Sequence, residues 1–567
     1  MHRRKHCLLS RTMLTKGKIQ DIVDLHYNRN EVIILVSTQT NPYSFDKYLE
    51  ARDNYDDYDD NLFVQKVVEH YTGTDYKFIN DKMKALSKWN SKEYRDIANQ
   101  IAKRENHPRI EHFDAYNNRI DKIIRPKELE DAEKKVFSER LFSKETTPWE
   151  QMIKRFLLHH NGEAGVMCPV ACTDGLVDIL NMHQKELSEE LNEILLHCTE
   201  GIDGDYGIGA QFMTEIQGGS NIPANVLRAV KTKDHYKLYG TKFFCSAIHA
   251  DYAVVTAKDE DSNHVATFIV PSWEDKKRKK RNNFQINRLK WKLGTSELPS
   301  AEITYDGAKA YQIGSLEKGV AIAVGIVLTK SRLDIGSASA AFMMRAAREV
   351  LQYTDFRNVF GKNVNEYPLA AAQIQKVELT AKRTTAGIFK VYHQYLENRY
   401  KGKDIHSEQL QKEQFQVREL ILLQKIKAAK DAVETIRLAI SLFGGNGVIE
   451  DFSSIPRLFR DAMVNELWEG PRNVLLTQIH RDIKKASSWY QPKDLINDLL
   501  SGCDPSVVDK FTSAITKLVT YDLSAQPSHE SIRQAEEWET FCDDLFLAYQ
   551  EQAFYEVGDA PIVEVNE

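Results

Sequence analysis

Four short segments of this 567-residue chain carry residue types that can do chemistry. The first is Phe212-Met213-Thr214-Glu215-Ile216-Gln217-Gly218-Gly219-Ser220-Asn221. It sets hydroxyls at Thr214 and Ser220 beside glycines that let a backbone come close to a phosphate, although Gly-Gly-Ser-Asn alone also reads as a turn. The second, Arg357-Asn358-Val359-Phe360-Gly361-Lys362, offers a guanidinium whose planar fork suits a pyrophosphate, or else a helix end with a glycine cap. The third, Phe443-Gly444-Gly445-Asn446-Gly447, ends a long helical pattern with glycines that admit either a C-cap or a closely approaching ligand. The fourth, Leu467-Trp468-Glu469-Gly470, sets one carboxylate among apolar neighbours. In a water-poor cleft such a carboxylate has a raised pKa and can take a proton from a carbon acid; on a surface it is only a charge.

These segments sit in a chain of ordinary globular composition, 42% hydrophobic and 28% charged, whose length suits two to four domains. A formal net charge of −6 provides no general attraction to nucleic acid or anionic membrane. No apolar run approaches the roughly 18 residues that cross a bilayer, so a soluble protein is expected. Cys7, Cys168, Cys172, Cys198, Cys245, Cys503 and Cys542 are scattered, with no paired CxxC spacing for zinc and an odd total that argues against a disulfide framework. A reducing compartment fits. Arg3, Arg4, Lys5, Arg11, Lys16 and Lys18 precede the first acid, Asp21, as in a short organellar presequence or an unstructured basic leader.

From about Tyr48 to Glu200 the periodicity predicts helices, among them Asn61–Tyr71 and Lys185–Cys198. Asp53 to Asp60 lacks the glycine and final glutamate of a calcium loop and reads as a solvated connector. Between Gly201 and about Gly314, short strands are predicted at Tyr236–Tyr239, Tyr252–Ala257, Ala266–Val270 and Ala301–Tyr305. The basic run Lys276–Arg281 reads as a solvated hairpin loop between two of them. Long helices follow at Ile335–Tyr353, Leu369–Arg399 and Gln414–Leu442, with lengths that suit an antiparallel bundle. The tail from Lys484 carries 16 acids against 6 bases, a surplus that repels a phosphate backbone.

With two further segments, the four motifs follow one another in the order found in acyl-CoA dehydrogenases, and the chain resembles that family over about Phe212 to His480. Thr214 to Asn221 resembles the family's Thr-Glu-x-x-x-Gly-Ser-Asp flavin signature, with Asn221 in place of the aspartate. Gly240-Thr241-Lys242-Phe243-Phe244-Cys245-Ser246 is similar to Gly-x-Lys-x-Trp-Ile-Thr, and Lys290-Trp291-Lys292-Leu293-Gly294-Thr295 echoes a Lys-x-Gly stretch. Arg457-Leu458-Phe459-Arg460-Asp461, followed by Trp468-Glu469-Gly470, is similar to Arg-Asp … Tyr-Glu-Gly. Glu163-Ala164-Gly165-Val166-Met167-Cys168-Pro169 resembles the Glu-Ala-Gly-x-x-Cys-Pro of the AidB-like branch.

The resemblance implies an α+β, mostly α fold. Residues 1–45 would be a leader and 46–204 an N-terminal helical domain. Residues 205–315 would form a central β-barrel domain and 316–484 a C-terminal four-helix bundle, with 485–567 an acidic, helical extension. It also implies FAD-dependent α,β-dehydrogenation of an acyl-CoA thioester with Glu469 as the base. Met213, Thr214, Gly219, Ser220, Phe244, Cys245, Ser246, Trp468 and Asn473 would hold the flavin. Arg357, Phe360, Gly444 and Gly445 would reach the flavin of a neighbouring subunit in a homotetramer. No metal is implied. Some relatives carry the base early in the last block, at the position of Ser331 here; serine cannot take the proton unaided, and Asp334, three residues on, reads as a helix charge. An electron-transfer flavoprotein would be the acceptor, in the cytoplasm, or in the mitochondrial matrix if the leader is a presequence; no membrane partner is expected. The alternative is an AidB-like flavoprotein of little turnover that binds nucleic acid or protein as a stress factor, although the acidic tail and net charge weigh against nucleic acid.

Overall fold

The computed structural model describes residues 43–275, 277–400 and 407–558; the basic leader, Cys7 and Lys276 lie outside them. The chain divides into a unit ending at Asp46 and a second unit, Lys47–Glu567. In the first, the rings of Tyr43 and Phe45 meet edge-on at 5.3 Å.

The N-terminal block contains α1 (Asp46–Asn54), α2 (Leu62–Thr72), α3 (Tyr76–Trp89), α4 (Arg95–Ile101), α5 (Lys127–Ser138), α6 (Pro148–His159), α7 (Met167–Met182) and α8 (Glu189–Thr199). Three of them, α2, α6 and α8, start at a short polar side chain that satisfies a free backbone donor. Asn61 accepts from Val64 N at 3.1 Å, and Thr147 accepts from Glu150 N at 3.1 Å just before Pro148. A hairpin that helical periodicity did not predict, β1 (Arg109–Phe113) and β2 (Arg119–Ile124), lies against the barrel, where Asp121 accepts from Ile286 N at 2.9 Å. The acidic stretch 53–60 is in part the solvated connector expected, with Asn54, Asp59 and Asp60 exposed, but Asp57 and Tyr58 are buried. Asp57 is buried 3.3 Å from Arg345 because two arginines inside the bundle, Arg345 and Arg348, need a counter-charge, and Tyr58 is covered with its hydroxyl on Asn80 at 2.9 Å.

The middle block holds β3 (Gly209–Phe212), β4 (Arg228–Lys231), β5 (Tyr236–Ser246), β6 (Tyr252–Asp259), β7 (Val265–Pro271), β8 (Phe284–Leu289) and β9 (Ser300–Gln312). Strand β6 pairs with both β4 and β7, so the path β4-β5-β9-β7-β6 closes into a barrel, with β3 and β8 added at its rim. Strands β6 and β7 are buried on both faces. Their period of two sends Val255, Phe268 and Val270 into the barrel core, and Val254, Val265 and Ile269 into the core shared with α7. In the loop after β7, Arg278 reaches Asp251 at 2.7 Å and Asp205 at 2.8 Å, so part of the basic run is paired rather than solvated.

The last block begins with α9 (Gly319–Ile322) and α10 (Leu328–Phe356), followed by the two-residue strands β10 (Asn358–Val359) and β11 (Lys362–Asn363). Then come α11 (Pro368–Tyr400), α12 (Glu408–Phe443), α13 (Ile455–Leu467) and α14 (Arg472–Ala486). Helices α10, α11 and α12 pack mutually, and α13 lies on α12 and α10. The extension forms α15 (Pro492–Leu499), α16 (Pro505–Leu518) and α17 (His529–Glu556). Helix α17 lies along the bundle, where its acids meet bases: Glu556 with Lys390 (2.8 Å), Asp543 with Lys430 (2.8 Å), and Glu539 and Asp543 with Arg472 (both 2.6 Å). No helix among the described residues is long and apolar enough to cross a membrane.

The three blocks meet at Asp461 on α13. Its carboxylate is buried and accepts from Glu163 N (3.2 Å) in the N-terminal block and from Thr295 N (2.7 Å) in a barrel loop. Gly294, beside that contact, lies so near α13 that a methyl group there would overlap the carbonyl oxygen of Arg460. The Gly294→Ala variant is therefore expected to lose about 1–3 kcal/mol and several degrees of Tm in a thermal melt; an unchanged Tm would contradict this packing.

Candidate active site

Between β3, β5, α7, α10 and the turn from α13 to α14 lies a cavity of about 780 Å³. It brings together Met213, Thr214, Gly219, Ser220, Phe244 and Ser246 from the barrel with Trp468 and Glu469 from the turn. Ser331 of α10 also lines it.

Glu469 sits at the end of α13 with φ +58, a left-handed backbone that costs a residue with a Cβ about 1–3 kcal/mol. Gly470 follows at φ +110. Neighbouring helices hold the turn in this shape. The Lys425 ammonium of α12 donates to Glu466 O at 2.8 Å and Gly470 O at 2.6 Å, and Arg332 Nε of α10 donates to Glu469 O at 3.1 Å. Gln211 Nε2, on β3, donates to the Glu469 carboxylate at 2.6 Å and lies 3.3 Å from Ser331 Oγ. Burial raises the Glu469 pKa above the ordinary carboxylate range, with Arg332 and Lys425 opposing the rise. Burial also pushes the Lys425 pKa down to about 7, against the pull of Glu469.

On the barrel side, the β5–β9 register slips between Lys242 and Cys245. The bulge leaves Phe244 38% exposed on the cavity wall while Cys245 turns into the barrel core. Phe243 N donates to Thr214 O at 3.0 Å, which ties the bulge to the first motif. Within that motif, a Cβ on Gly219 would come within 2.5 Å of Thr214 Oγ1. The turn is braced from below by the buried Lys242–Glu215 pair at 2.8 Å, and Lys242 also donates to Met213 O at 3.0 Å. Ser246 Oγ lies 2.9 Å from Ser300 Oγ.

Arg357, Phe360, Gly444, Gly445 and Asn473 do not line this cavity. Phe360 is 99% exposed, and Gly444, Gly445 and Asn473 are also exposed. Sequence reasoning assigned no role to Gln211, Arg332 or Lys425. The available signal was a lysine inside the apolar run Leu420–Ile426, a place that a charge occupies only with buried partners. The expectation that Asp334 is a helix charge is corrected: it is buried, lines the cavity, and its carboxylate lies 3.1 Å from His159 Nε2.

Residues 49–199 match the family model for the adaptive response protein AidB N-terminal domain, 210–308 that for the acyl-CoA dehydrogenase middle domain, and 317–484 that for the acyl-CoA dehydrogenase C-terminal domain. The chain belongs to the acyl-CoA dehydrogenase family. Within this family it is 32% identical to acyl-CoA dehydrogenase family member 11 of Caenorhabditis elegans over 401 residues, which is 66% of this chain and 62% of that protein. It is 28% identical to AidB of Escherichia coli over 354 residues, 61% of each chain. The match thus spans about three-fifths of the length of both curated relatives. The structure of Caenorhabditis elegans ACDH-11 in complex with C11-CoA superposes with a TM-score of 0.74 at 24% identity, covering 89% of this chain and 91% of that one.

The Glu469 turn rests on Lys425. The Lys425→Met variant leaves two carbonyls without that donor, at a cost of about 1–3 kcal/mol, and removes a charge that lowers the Glu469 pKa. A lower Tm is expected, together with an upward shift of the Glu469 carboxyl titration in pH-difference infrared spectra; Lys425→Arg should reverse the second effect. A titration that stays put in Lys425→Met would show that Lys425 does not act on Glu469.

Proposed function

We propose that this chain is a flavin-dependent acyl-CoA dehydrogenase in which Glu469 takes the α-proton of an acyl thioester of coenzyme A. One observation carries the reading. A carboxylate with a raised pKa shares one cavity with the hydroxyls and exposed ring of the barrel motifs, and is bonded to Gln211 from 258 residues away.

The donor set fits the ring end of FAD. Thr214, Ser220 and Ser246 line the wall with hydroxyls, Phe244 offers an aromatic face, and Gly219 provides a turn that a methyl group would disturb. These residues, with Met213 and Trp468, would hold the cofactor. When bound, the flavin supplies the acceptor for the hydride that leaves the β-carbon. The chain's own part is the proton. The Glu469 carboxylate forms an O–H bond as the α-C–H bond breaks, the freed electron pair becomes the new carbon–carbon π bond, and the product is a 2-enoyl thioester. Burial makes the carboxylate a stronger base, and Gln211 orients it. The C11-CoA bound by the Caenorhabditis elegans relative supports the substrate class. The exposed positions of Phe360, Gly444 and Gly445 support a role toward a neighbouring subunit's flavin in a homotetramer. An electron-transfer flavoprotein as acceptor belongs to the same reading.

Anaerobic mixing of the flavin-loaded protein with a panel of acyl-CoAs should bleach the flavin. The rate should fall as the pH drops through the raised Glu469 pKa, since only the carboxylate accepts the proton. Glu469→Gln should retain flavin and lose at least about 100-fold in bleaching rate. Bleaching by no acyl-CoA, together with salt-sensitive DNA binding, would favour an AidB-like binding protein instead.

A further inference from the structure

Ser246, the last residue of β5, stands opposite Ser300, the first residue of β9, in the register of the two strands. The next pair, Cys245 and Ala301, is buried in the barrel core, so the period of two turns both serines to the opposite face. There Ser246 lines the cavity and is half-buried, while Ser300 is only 1% exposed. The loop that follows β8 closes over Ser300. Its Lys292 ammonium donates to Leu298 O and to Ser300 Oγ, both at 2.9 Å. Ser300 Oγ in turn lies 2.9 Å from Ser246 Oγ. Burial lowers the Lys292 pKa, and the carboxylates of Glu163, Glu297 and Asp461 resist the fall.

These three side chains form a chain whose direction is set from one end. A hydroxyl has one hydrogen to give and two lone pairs, whereas an ammonium has only hydrogens to give. Ser300 accepts from Lys292, and among the described residues the one acceptor for its own hydrogen is Ser246 Oγ. Were Ser246 to donate to Ser300 instead, the Ser300 hydrogen would be buried without a partner, which is the costlier arrangement. Ser300 therefore donates to Ser246, and Ser246 keeps its hydrogen for the cavity. A hydrogen-bond chain headed by a charge polarises each of its members, so this hydroxyl is a stronger donor than an isolated serine. The wall here asks for a ligand atom that accepts. Phe244, two residues earlier on the same strand, offers a ring face to the same cavity, so the ligand that suits both is a flat ring carrying an acceptor. In a bound flavin, the nitrogen that takes the hydride is such an atom, and it has to face the cavity that also holds Glu469.

We propose that Lys292 and Ser300 are positioning residues that hold the Ser246 hydroxyl as a donor to the flavin ring nitrogen that receives the hydride. This rests on the flavin-dependent reading given above.

The test measures, by calorimetry, the Kd of the apoprotein for FAD and for 5-deaza-FAD, in which that nitrogen is replaced by a C–H group. The wild type should bind FAD about fivefold more tightly, the worth of one hydrogen bond. Ser246→Ala should bring the two affinities together, and Ser300→Ala should shrink the preference to less than about twofold. Added to Ser246→Ala, Ser300→Ala should change the ratio no further, because both act on one hydrogen bond. Lys292→Met should shrink the preference as Ser300→Ala does; Ser300→Ala decides the matter even if Lys292→Met does not fold. A residue that served only the fold would weaken both cofactors alike and leave the ratio where it was. If the wild type binds both equally, or its preference survives Ser246→Ala, Ser300→Ala or a folded Lys292→Met, the chain is refuted while the flavin reading stands. If neither cofactor binds, the flavin reading fails and the chain falls with it.

Discussion

Asp461 receives one backbone N–H from the N-terminal block and another from a barrel loop while belonging to the bundle itself. A buried carboxylate that accepts from two such donors is satisfied only when all three blocks are in place, since losing either donor strands charge in a dry interior. The same contact fixes where α13 lies. The position of α13 in turn decides where its C-terminal turn projects Glu469. The barrel motifs and the proposed base share a cavity because this one joint sets the distance between them.

Holding α13 still is not sufficient, because Glu469 occupies a backbone region that a residue with a side chain avoids. Lys425 and Arg332 supply the restraint by bonding carbonyls of the turn from two different helices. Their burial is tolerable because the carbonyls and the Glu469 charge replace lost hydration. The arrangement sets two demands against each other. Burial makes Glu469 more basic, and the cations that hold the turn make it less so. The outcome is a carboxylate held above its usual range.

Much of this was legible in the sequence for one reason, periodicity. The three long bundle helices occur where apolar residues recur at three and four, extended by a few residues at their ends. Barrel strands occur where Val, Ile, Tyr and Phe alternate, although β5 runs on to Ser246 through a bulged half that carries Phe244 onto the cavity wall. Spacing did not disclose which charges would be buried. Asp57, Asp334 and Lys425 look like solvent residues locally, and only partners far away in the chain make their burial possible. Motif order pointed to Glu469, Thr214 and Phe244, which line one cavity. Of the residues that brace them from other elements, Gln211 and Arg332 leave no local pattern, while Lys425 shows only as a lysine inside an apolar run.

The acidic extension has a different meaning once α17 is docked. Its carboxylates stand beside Arg383, Lys390, Lys430 and Arg472 of the bundle, and Glu537 is matched by Lys517 and Arg533 within the extension. Seen from a distance, such pairs are dipoles rather than bare charges, and a dipole's field decays faster than that of a lone carboxylate. The surplus of acids counted along the tail therefore overstates the long-range repulsion that a passing polyanion would feel from it. What the tail contributes instead is a short-range electrostatic seam along the bundle, open to weakening by salt where its pairs meet solvent.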